Sequence, residues 1–166
     1  GIHSQLQPRL FYYQKTYING GSVLTNKDLD FSKSNQYVIS YDYLISRNLR
    51  LKLETYYQQL YSIPVEEKAS SFSMINYGTS FFEVRTDSLR NKGTGQNYGF
   101  EMTFEKFLSN NYYLLLTSSL FESKYKGSDN ILRNTIYNGN YVFDFLTGYK
   151  FKLTKYSSLN LDVKIV

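Results

Sequence analysis

A chain of 166 residues is long enough for one domain with a core, or for one piece of such a domain, and it shows no linker between two domains. Because it has no cysteine, it forms neither disulfides nor thiolate metal sites. The net charge is +5, but the basic residues are interspersed with acidic ones, which gives little support to nucleic-acid binding. The chain contains no apolar run of about 18 residues, so no transmembrane helix is predicted.

Alternating apolar and polar residues predict β-strands along most of the chain. In the run 97–108, Tyr98 and Phe100 share one face, opposite Glu101 and Glu105. An aromatic content of 18% is typical of pleated sheet, where broad rings cover a half-buried surface. The predicted strands are residues 36–46, 48–61, 96–108, 111–125, 139–153 and 158–166, with a less distinct one near 9–18.

The connections between these strands alternate between short and long. The short turns are all polar, and two of them contain asparagine, which tolerates the left-handed conformations of tight hairpins. In an antiparallel sheet with this alternation, the long connections all meet at one end. The short turns are predicted at 46–48, 109–111 and 154–157, and the long connections at about 19–35, 62–95 and 127–138.

Alternation alone does not tell whether the apolar side faces a protein core or lipid. Strand length favours lipid, since the predicted strands run to about 10–15 residues and a membrane-spanning strand needs about 9–11. The apolar face is almost free of charge, and its exception, Lys106, lies near a turn where the stem can reach the interface. Tyrosines near strand ends are typical of an interfacial girdle: Tyr37, Tyr57, Tyr98, Tyr112, Tyr141 and Tyr149.

The opposite face carries charges of both signs, which can pair across strands around water or a plug. An open sheet in lipid would leave backbone groups unpaired, and an interior lined by so many charges needs more strands to close around it. The predicted fold class is therefore all-β: an antiparallel transmembrane β-barrel, of which this chain is a segment of about six or seven strands. The charged set is Asp42, Arg50, Lys52, Glu54, Glu101, Glu105, Asp144, Lys150, Lys152, Asp162 and Lys164.

Four stretches of sequence resemble a known family. GIHSQLQP at the start, the run from Tyr37 to Val65, the run from Asn91 to Gly127 and the run RNTIYNGNYVFDFLTGYKFKL together resemble the carboxyl-terminal barrel of TonB-dependent outer-membrane receptors. More narrowly, they look like the subgroup with a carboxypeptidase-regulatory-like amino-terminal domain. The resemblance covers nearly the whole chain from Ile2 to Leu153.

This resemblance implies a barrel of 22 strands around an amino-terminal plug, taking up a scarce ligand with energy supplied through TonB. It implies a bacterial outer-membrane location, with long loops extracellular and short turns periplasmic. The implied partners are outer-membrane lipids, the remaining barrel strands, the plug, TonB through that plug, and a surface lipoprotein as a further candidate. No cofactor, nucleic acid or enzymatic activity is expected.

Catalysis is not expected at the single histidine. His3 stands beside Ser4, but a hydrolase would need this pair to be oriented by a third group. As residues of a loop at the outer mouth of a barrel, His3, Gln5 and Gln7 would contact ligand or plug. The alternative is an ordinary hydrogen-bonded loop.

Other residue patterns do not predict a chemical site. Glu101 and Glu105 lie about 13 Å apart along a strand, too far for a glycosidase pair, and are expected to pair with lysines on neighbouring strands. The glycines at 93, 95 and 99 lack the strand and helix of a nucleotide-binding motif and are expected to ease a loop into a strand. Glu66 and Glu67 are read as a solvated pair, so no metal site is expected.

The long loop 62–95 is the best candidate for recognition. Its rings could stack on a sugar and its guanidinium groups could hold an anion, or the rings could pack neighbouring loops together or seat a lipoprotein. Arg133, in the next long loop, is a weaker candidate. The loop's aromatic and basic residues are Phe72, Tyr77, Phe81, Phe82, Arg85, Arg90 and Lys92, and the candidate ligand-binding set is His3, Gln5, Gln7, Tyr77, Phe81, Arg85, Arg90 and Arg133.

Two other classes of protein remain open from the sequence. A soluble or surface-displayed β-sandwich would pack its apolar faces together and bind polymers or partner proteins. A barrel enzyme would depend on His3.

Overall fold

A computed structural model describes residues 1–77 and 88–166. These described residues are 67% strand and 4% helix, and most of their strands belong to one antiparallel sheet, which confirms the all-β prediction. The described helices are short, and none is long and apolar enough to cross a membrane. The elements are β1 (Ile2–Gln5), α1 (Arg9–Tyr12), β2 (Lys15–Ile18), β3 (Gly21–Leu24), β4 (Ser32–Ser46), β5 (Leu49–Glu66), a 3-10 turn (Met74–Asn76), β6 (Leu89–Ser109), β7 (Tyr112–Lys126), β8 (Leu132–Asn134), β9 (Tyr141–Lys152) and β10 (Ser158–Ile165).

The main sheet has the strand order β1-β4-β5-β6-β7-β9-β10, and β8 adds to β7. Strands β2 and β3 form a separate hairpin. Among the described residues β1 and β10 do not pair with each other, so the sheet formed by this chain is open at both edges. The hairpin β9–β10 is regular, with Ser158 opposite Lys152 and Ile165 opposite Phe145.

All six of the more distinct predicted strands are present, but three of them, β4, β5 and β6, are longer than predicted. Strand β5 continues to Glu66 and β6 already begins at Leu89, so the predicted loop 62–95 is wrong at both ends and the connection is 67–88. The apolar alternation of β5 is broken at Ser62, which has a left-handed φ of 55°. Beyond it Val65 is again fully buried, and this burial explains why the strand continues.

The predicted strand near 9–18 is largely wrong. Residues 9–12 form α1 directly after Pro8, and only 15–18 are extended. Proline at a helix start has no N–H to leave unsatisfied, and the turn buries Phe11. The predicted loops 19–35 and 127–138 also contain short strands, β3 with the start of β4 in the first and β8 in the second.

The chain divides into two compact units. The first unit comprises residues 1–37, 57–97 and 122–138, and the second comprises 38–56, 98–121 and 139–166. The short turns after β4, β6 and β9 belong to the second unit, whereas the connections from β1 to β4, β5 to β6 and β7 to β8 belong to the first. The turn after β6 uses two left-handed asparagines, as predicted, with φ of 52° and 69°.

The first unit contains a small hydrophobic core. Phe11, Leu29 and Leu89 are its buried centre. The side-chain oxygen Oδ1 of buried Asn26 accepts a hydrogen bond from the backbone N–H of Leu89 at 2.8 Å, which ties the β3–β4 connection to the start of β6. The residues packed against this centre are Tyr12, Phe72, Met74 and Tyr77.

The second unit has no such core. All its residues are described, and none of the buried hydrophobic side chains of the described chain belongs to it. Alternate positions of β9 and β10 expose large apolar side chains, with Tyr141 71% and Leu161 59% accessible. This unit is therefore one layer of sheet with an uncovered apolar face. We use the name apolar face for the side of the sheet that carries these residues: Tyr141, Phe143, Tyr149, Phe151, Leu159, Leu161, Val163 and Ile165.

Candidate functional site

A polar cleft of about 500 Å³ lies in the first unit where β1, β4 and β5 meet. Imidazole, carboxamide and hydroxyl groups dominate its lining. Such groups donate and accept hydrogen bonds without carrying a fixed charge at neutral pH. The polar cleft is lined by His3, Ser4, Gln5, Ser32, Lys33, Ser34, Gln58 and Leu60.

Strand pairing brings the amino-terminal residues into this cleft. His3 lies directly opposite Ser34 and Gln5 directly opposite Ser32, so each pair shares a face of the sheet. Gln7 follows β1, and its Nε2 donates to Oγ of Ser32 at 2.5 Å. The structure thus gathers the three predicted residues in one region. The prediction that His3 and Gln5 lie in a loop is wrong, because both belong to β1.

Among the described residues that line the cleft, Lys33 is the one lysine, and its charge is balanced by a nearby carboxylate. The ammonium group of Lys33 lies 3.1 Å from Oδ2 of Asp30. A hydrogen bond from the backbone N–H of Phe31, followed by the one from Lys33, holds the pKa of the Asp30 carboxyl below its usual range. The polar cleft therefore suits a neutral polar group better than a strongly charged one.

A relay of side-chain hydrogen bonds starts from the cleft and crosses the sheet. Nδ2 of Asn97 donates to Oε1 of Gln58 at 2.8 Å. Oγ of Ser123 donates to Oδ1 of Asn97 at 2.7 Å, and Oγ1 of Thr135 donates to Ser123 at 2.8 Å. The hydrogen bond from Asn97 fixes the side-chain amide of Gln58, which lines the cleft. Sequence reasoning missed Gln58, although a Gln58–Gln59 pair inside a strand rich in tyrosine and leucine is a signal of it.

Arg90 forms a salt bridge with Glu67 at the base of the β5–β6 connection. It is one of the two described arginines that were candidates for binding an anion. Its Nη2 lies 3.1 Å from Oε1 of Glu67. Oγ of Ser88 donates to the other carboxylate oxygen at 2.9 Å. The hydrogen bond from Ser88, and after it the one from Arg90, keeps the pKa of Glu67 low. Glu67 is exposed to solvent, as expected, but it also holds these two hydrogen bonds. Arg90 belongs to β6 instead of a loop.

Arg133 also forms a salt bridge, in this case with Asp129. Its two terminal nitrogens donate to the two carboxylate oxygens of Asp129, at 2.8 and 2.6 Å. This bidentate hydrogen bonding lowers the pKa of Asp129 and raises that of Arg133. Each described arginine candidate is thus balanced by a carboxylate, which weakens its attraction for a further anion.

Tyr77 packs in the core of the first unit. Its ring meets Phe11 edge to face at a centroid distance of 6.0 Å and Phe72 at 6.1 Å. These contacts match the alternative in which the loop rings pack neighbouring segments together. Tyr77, Arg90 and Arg133 do not line the polar cleft. The candidates Phe81 and Arg85, with Phe82, lie outside the described residues.

The charged face of the second unit forms ion pairs between strands. Nε of Arg50 donates to Oδ1 of Asp42 at 2.9 Å, and Nη1 lies 3.7 Å from Glu105. This confirms pairing between neighbouring strands, although the partner of Glu105 is an arginine and not a lysine. On the same side the hydroxyl of Tyr113 donates to Asp162 at 2.8 Å. We call the side that carries these groups the ionic face.

No group of three histidine, aspartate or glutamate side chains placed to hold a metal ion occurs in residues 1–77 and 88–166. Comparison of the chain with protein-family models, with curated proteins and with solved structures finds no match.

Proposed function

We propose that this chain is a wall segment of a TonB-dependent outer-membrane receptor that imports a ligand. The observation that carries the proposal is the single-layered second unit, with an uncovered apolar face on one side and ion pairs on the other. In water each Å² of exposed apolar surface costs about 25 cal/mol, and contact with lipid tails removes that cost. A sheet with one side in lipid and the other around an aqueous interior satisfies both faces.

Strand length supports the same proposal. Strands β4 and β7 have 15 residues each, β5 has 18 and β6 has 21. A membrane-spanning strand needs about 9–11 residues, so each is long enough to cross a bilayer and continue beyond it. Soluble strands are usually about five or six residues long.

Side chains near the turns also support it. The ammonium group of Lys106 lies 3.0 Å from the carbonyl of Ser109 and 3.5 Å from the centre of the Tyr112 ring. A lysine that turns its charge back to a hairpin suits the border between lipid and water. The six tyrosines expected in an aromatic girdle are all exposed.

In this proposal the ionic face lines the interior, where the amino-terminal plug resides, and outer-membrane lipids cover the apolar face. The other strands of a 22-stranded barrel pair with the open edges of the sheet. TonB acts through the plug, and the long connections are extracellular, where a surface lipoprotein would dock. The polar cleft contributes His3, Gln5 and Gln58 to the ligand path.

The test is the location of the full-length protein. Membranes are washed with alkaline carbonate and then extracted with detergent, and the protein is followed by immunoblotting beside a known outer-membrane porin. We expect it to resist the carbonate wash and to appear only in the detergent extract. Release into the carbonate wash or into the soluble fraction would contradict the proposal.

A soluble or surface-displayed β-sandwich that binds partners is the second candidate. The buried cluster of Phe11, Leu29 and Leu89 favours it, because water-soluble domains are organised around such cores. It predicts that residues 1–166 are folded and monomeric in plain buffer. Aggregation of this fragment in buffer together with folding in detergent would exclude it.

A further inference from the structure

The described first part of the β5–β6 connection, residues 67–77, folds back onto the sheet of the first unit. A methyl group placed on Gly95 would lie 2.5 Å from Cδ1 of Ile75 and 3.3 Å from Cδ1 of Leu60. The side chain of Ile75, from the 3-10 turn, is therefore seated directly on the Gly95 backbone. We call this side of the sheet, which also carries Gln58 and Asn97, the Gln58 face.

The Gln58 face changes from polar to apolar over a short distance along β5. Beyond the left-handed Ser62, both Ile63 and Val65 turn toward Gly93, leaving no room for a side chain there. The prediction that the glycines ease a loop into a strand is wrong for Gly93 and Gly95, since both lie inside β6. Their function is to let apolar side chains approach the sheet closely.

The folded-back segment is held by the next long connection. Oγ of Ser128 accepts a hydrogen bond from the N–H of Ser70 at 2.9 Å and donates to the carbonyl of Lys68 at 2.6 Å. Oδ1 of Asn76 accepts from the N–H of Ile136 at 2.6 Å. These contacts fix the segment on both sides of Ile75, so it behaves as a wall of the unit.

Leu60 joins this wall to the polar cleft. It lines the cleft and also meets the position at which Ile75 is seated on Gly95. Close-packed side chains resist displacement, and shortening one leaves space into which its neighbour can relax. We propose that Ile75, seated on Gly95 behind Leu60, holds Leu60 in place at the polar cleft and thereby sets the size of the group that the cleft accepts. The inference rests on the proposed function only in taking the cleft as part of the ligand path.

The test uses cysteine labelling, which suits a chain without cysteine. A Gln58→Cys variant of the full-length protein, otherwise free of reactive cysteine, is labelled with maleimides that carry polyethylene glycol chains of increasing length. The labelling rate is measured with Ile75 present, with Ile75→Val and with Ile75→Ala. Leu60→Ala serves as the direct enlargement of the cleft. Ile136→Ala is the matched control, because Ile136 is 67% exposed and does not line the cleft.

We expect Ile75→Ala and Leu60→Ala to speed labelling by the longest reagents about tenfold, with Ile75→Val in between, and Ile136→Ala to have no effect. An unchanged size limit in Ile75→Ala, with or without a change in Leu60→Ala, would overturn the inference. If Ile75→Ala does not fold, as judged by circular dichroism, Ile75→Val decides alone. Labelling is read on purified protein and therefore stays interpretable if the protein is not in a membrane.

Discussion

At the scale of single residues, Gly148 is the glycine of the second unit at which an added methyl group has the least room. It lies directly opposite Tyr113 on β7 and opposite Asp162 on β10. A methyl group at this position would collide with the Asp162 carboxylate and with the Tyr113 ring. The glycine therefore lets the tyrosine reach across β9 to donate its hydrogen bond to Asp162.

Gly148→Ala should destabilise the protein by about 1–3 kcal/mol, because the added methyl group must displace one of these two side chains. The measurement is the urea midpoint of the full-length protein, followed by tyrosine fluorescence. Gly139→Ala is the matched control, since its methyl group would meet only Phe121 at 3.4 Å, an ordinary contact. In a Tyr113→Ala background the loss caused by Gly148→Ala should shrink. An equal loss in both backgrounds would show that the tyrosine is not the obstacle.

Alternation along the strands predicted which residues share a face, and Asp42, Arg50 and Asp162 lie as expected. The polar cleft was only partly predictable. His3 and Gln5 were recognised as polar residues, but their partner Gln58 comes from a strand more than 50 residues away. Contacts of this kind depend on strand order, which a period of two does not specify.

At the scale of elements, the base of the β5–β6 connection is closed by one carboxylate. The backbone N–H of Glu67 donates to the carbonyl of Ser88 at 2.9 Å, and its side chain accepts from Ser88 and Arg90. The hydrogen bonds reach across the connection and extend the β5–β6 pairing by one residue pair. Ser88 and Arg90 each donate to a different oxygen of Glu67, and the ionised carboxylate accepts at both oxygens.

This closure should depend on pH. Because hydrogen bonds from Ser88 and Arg90 lower the pKa of Glu67, its contribution to stability is complete above the ordinary carboxyl pKa of about 4.5. It is lost as the pH falls through the lowered pKa of the folded state. Wild type should therefore exceed Glu67→Gln in urea midpoint at pH 7, and the two should converge in strong acid. Glu66→Gln is the neighbouring control, and a difference between wild type and Glu67→Gln that is the same at every pH would contradict this account.

The existence of six strands was predictable because their apolar and polar residues alternate over many positions. Their ends were less so. The left-handed Ser62 breaks the alternation in β5, and the short strand β8 has only three residues, too few to show a period. The helix α1 depends on Pro8 and on burial of Phe11 against residues distant in sequence, and local alternation carries no sign of it.

At the scale of the whole molecule, the two units differ in whether they bury their apolar side chains. The first unit buries them under its own connections, around Phe11, Leu29 and Leu89. The second leaves them exposed on one face and pairs its charges on the other. An exposed apolar face of this kind is typical of a surface that contacts another apolar layer. The proposed receptor supplies lipid tails as that cover.

Adjacent residues of β10 provide a matched pair for the decisive test. Leu161 lies on the apolar face and Asn160 on the ionic side of the same strand, and both are exposed. Each is replaced by cysteine in the full-length protein, labelled with a nitroxide and reconstituted into lipid vesicles. Collisions with oxygen, which concentrates in lipid, and with a water-soluble nickel chelate are then measured.

The account predicts that the label at position 161 collides mainly with oxygen and the label at position 160 mainly with the nickel chelate. Equal access of the nickel chelate to both positions, or protection of position 161 from both reagents by packed protein, would contradict it.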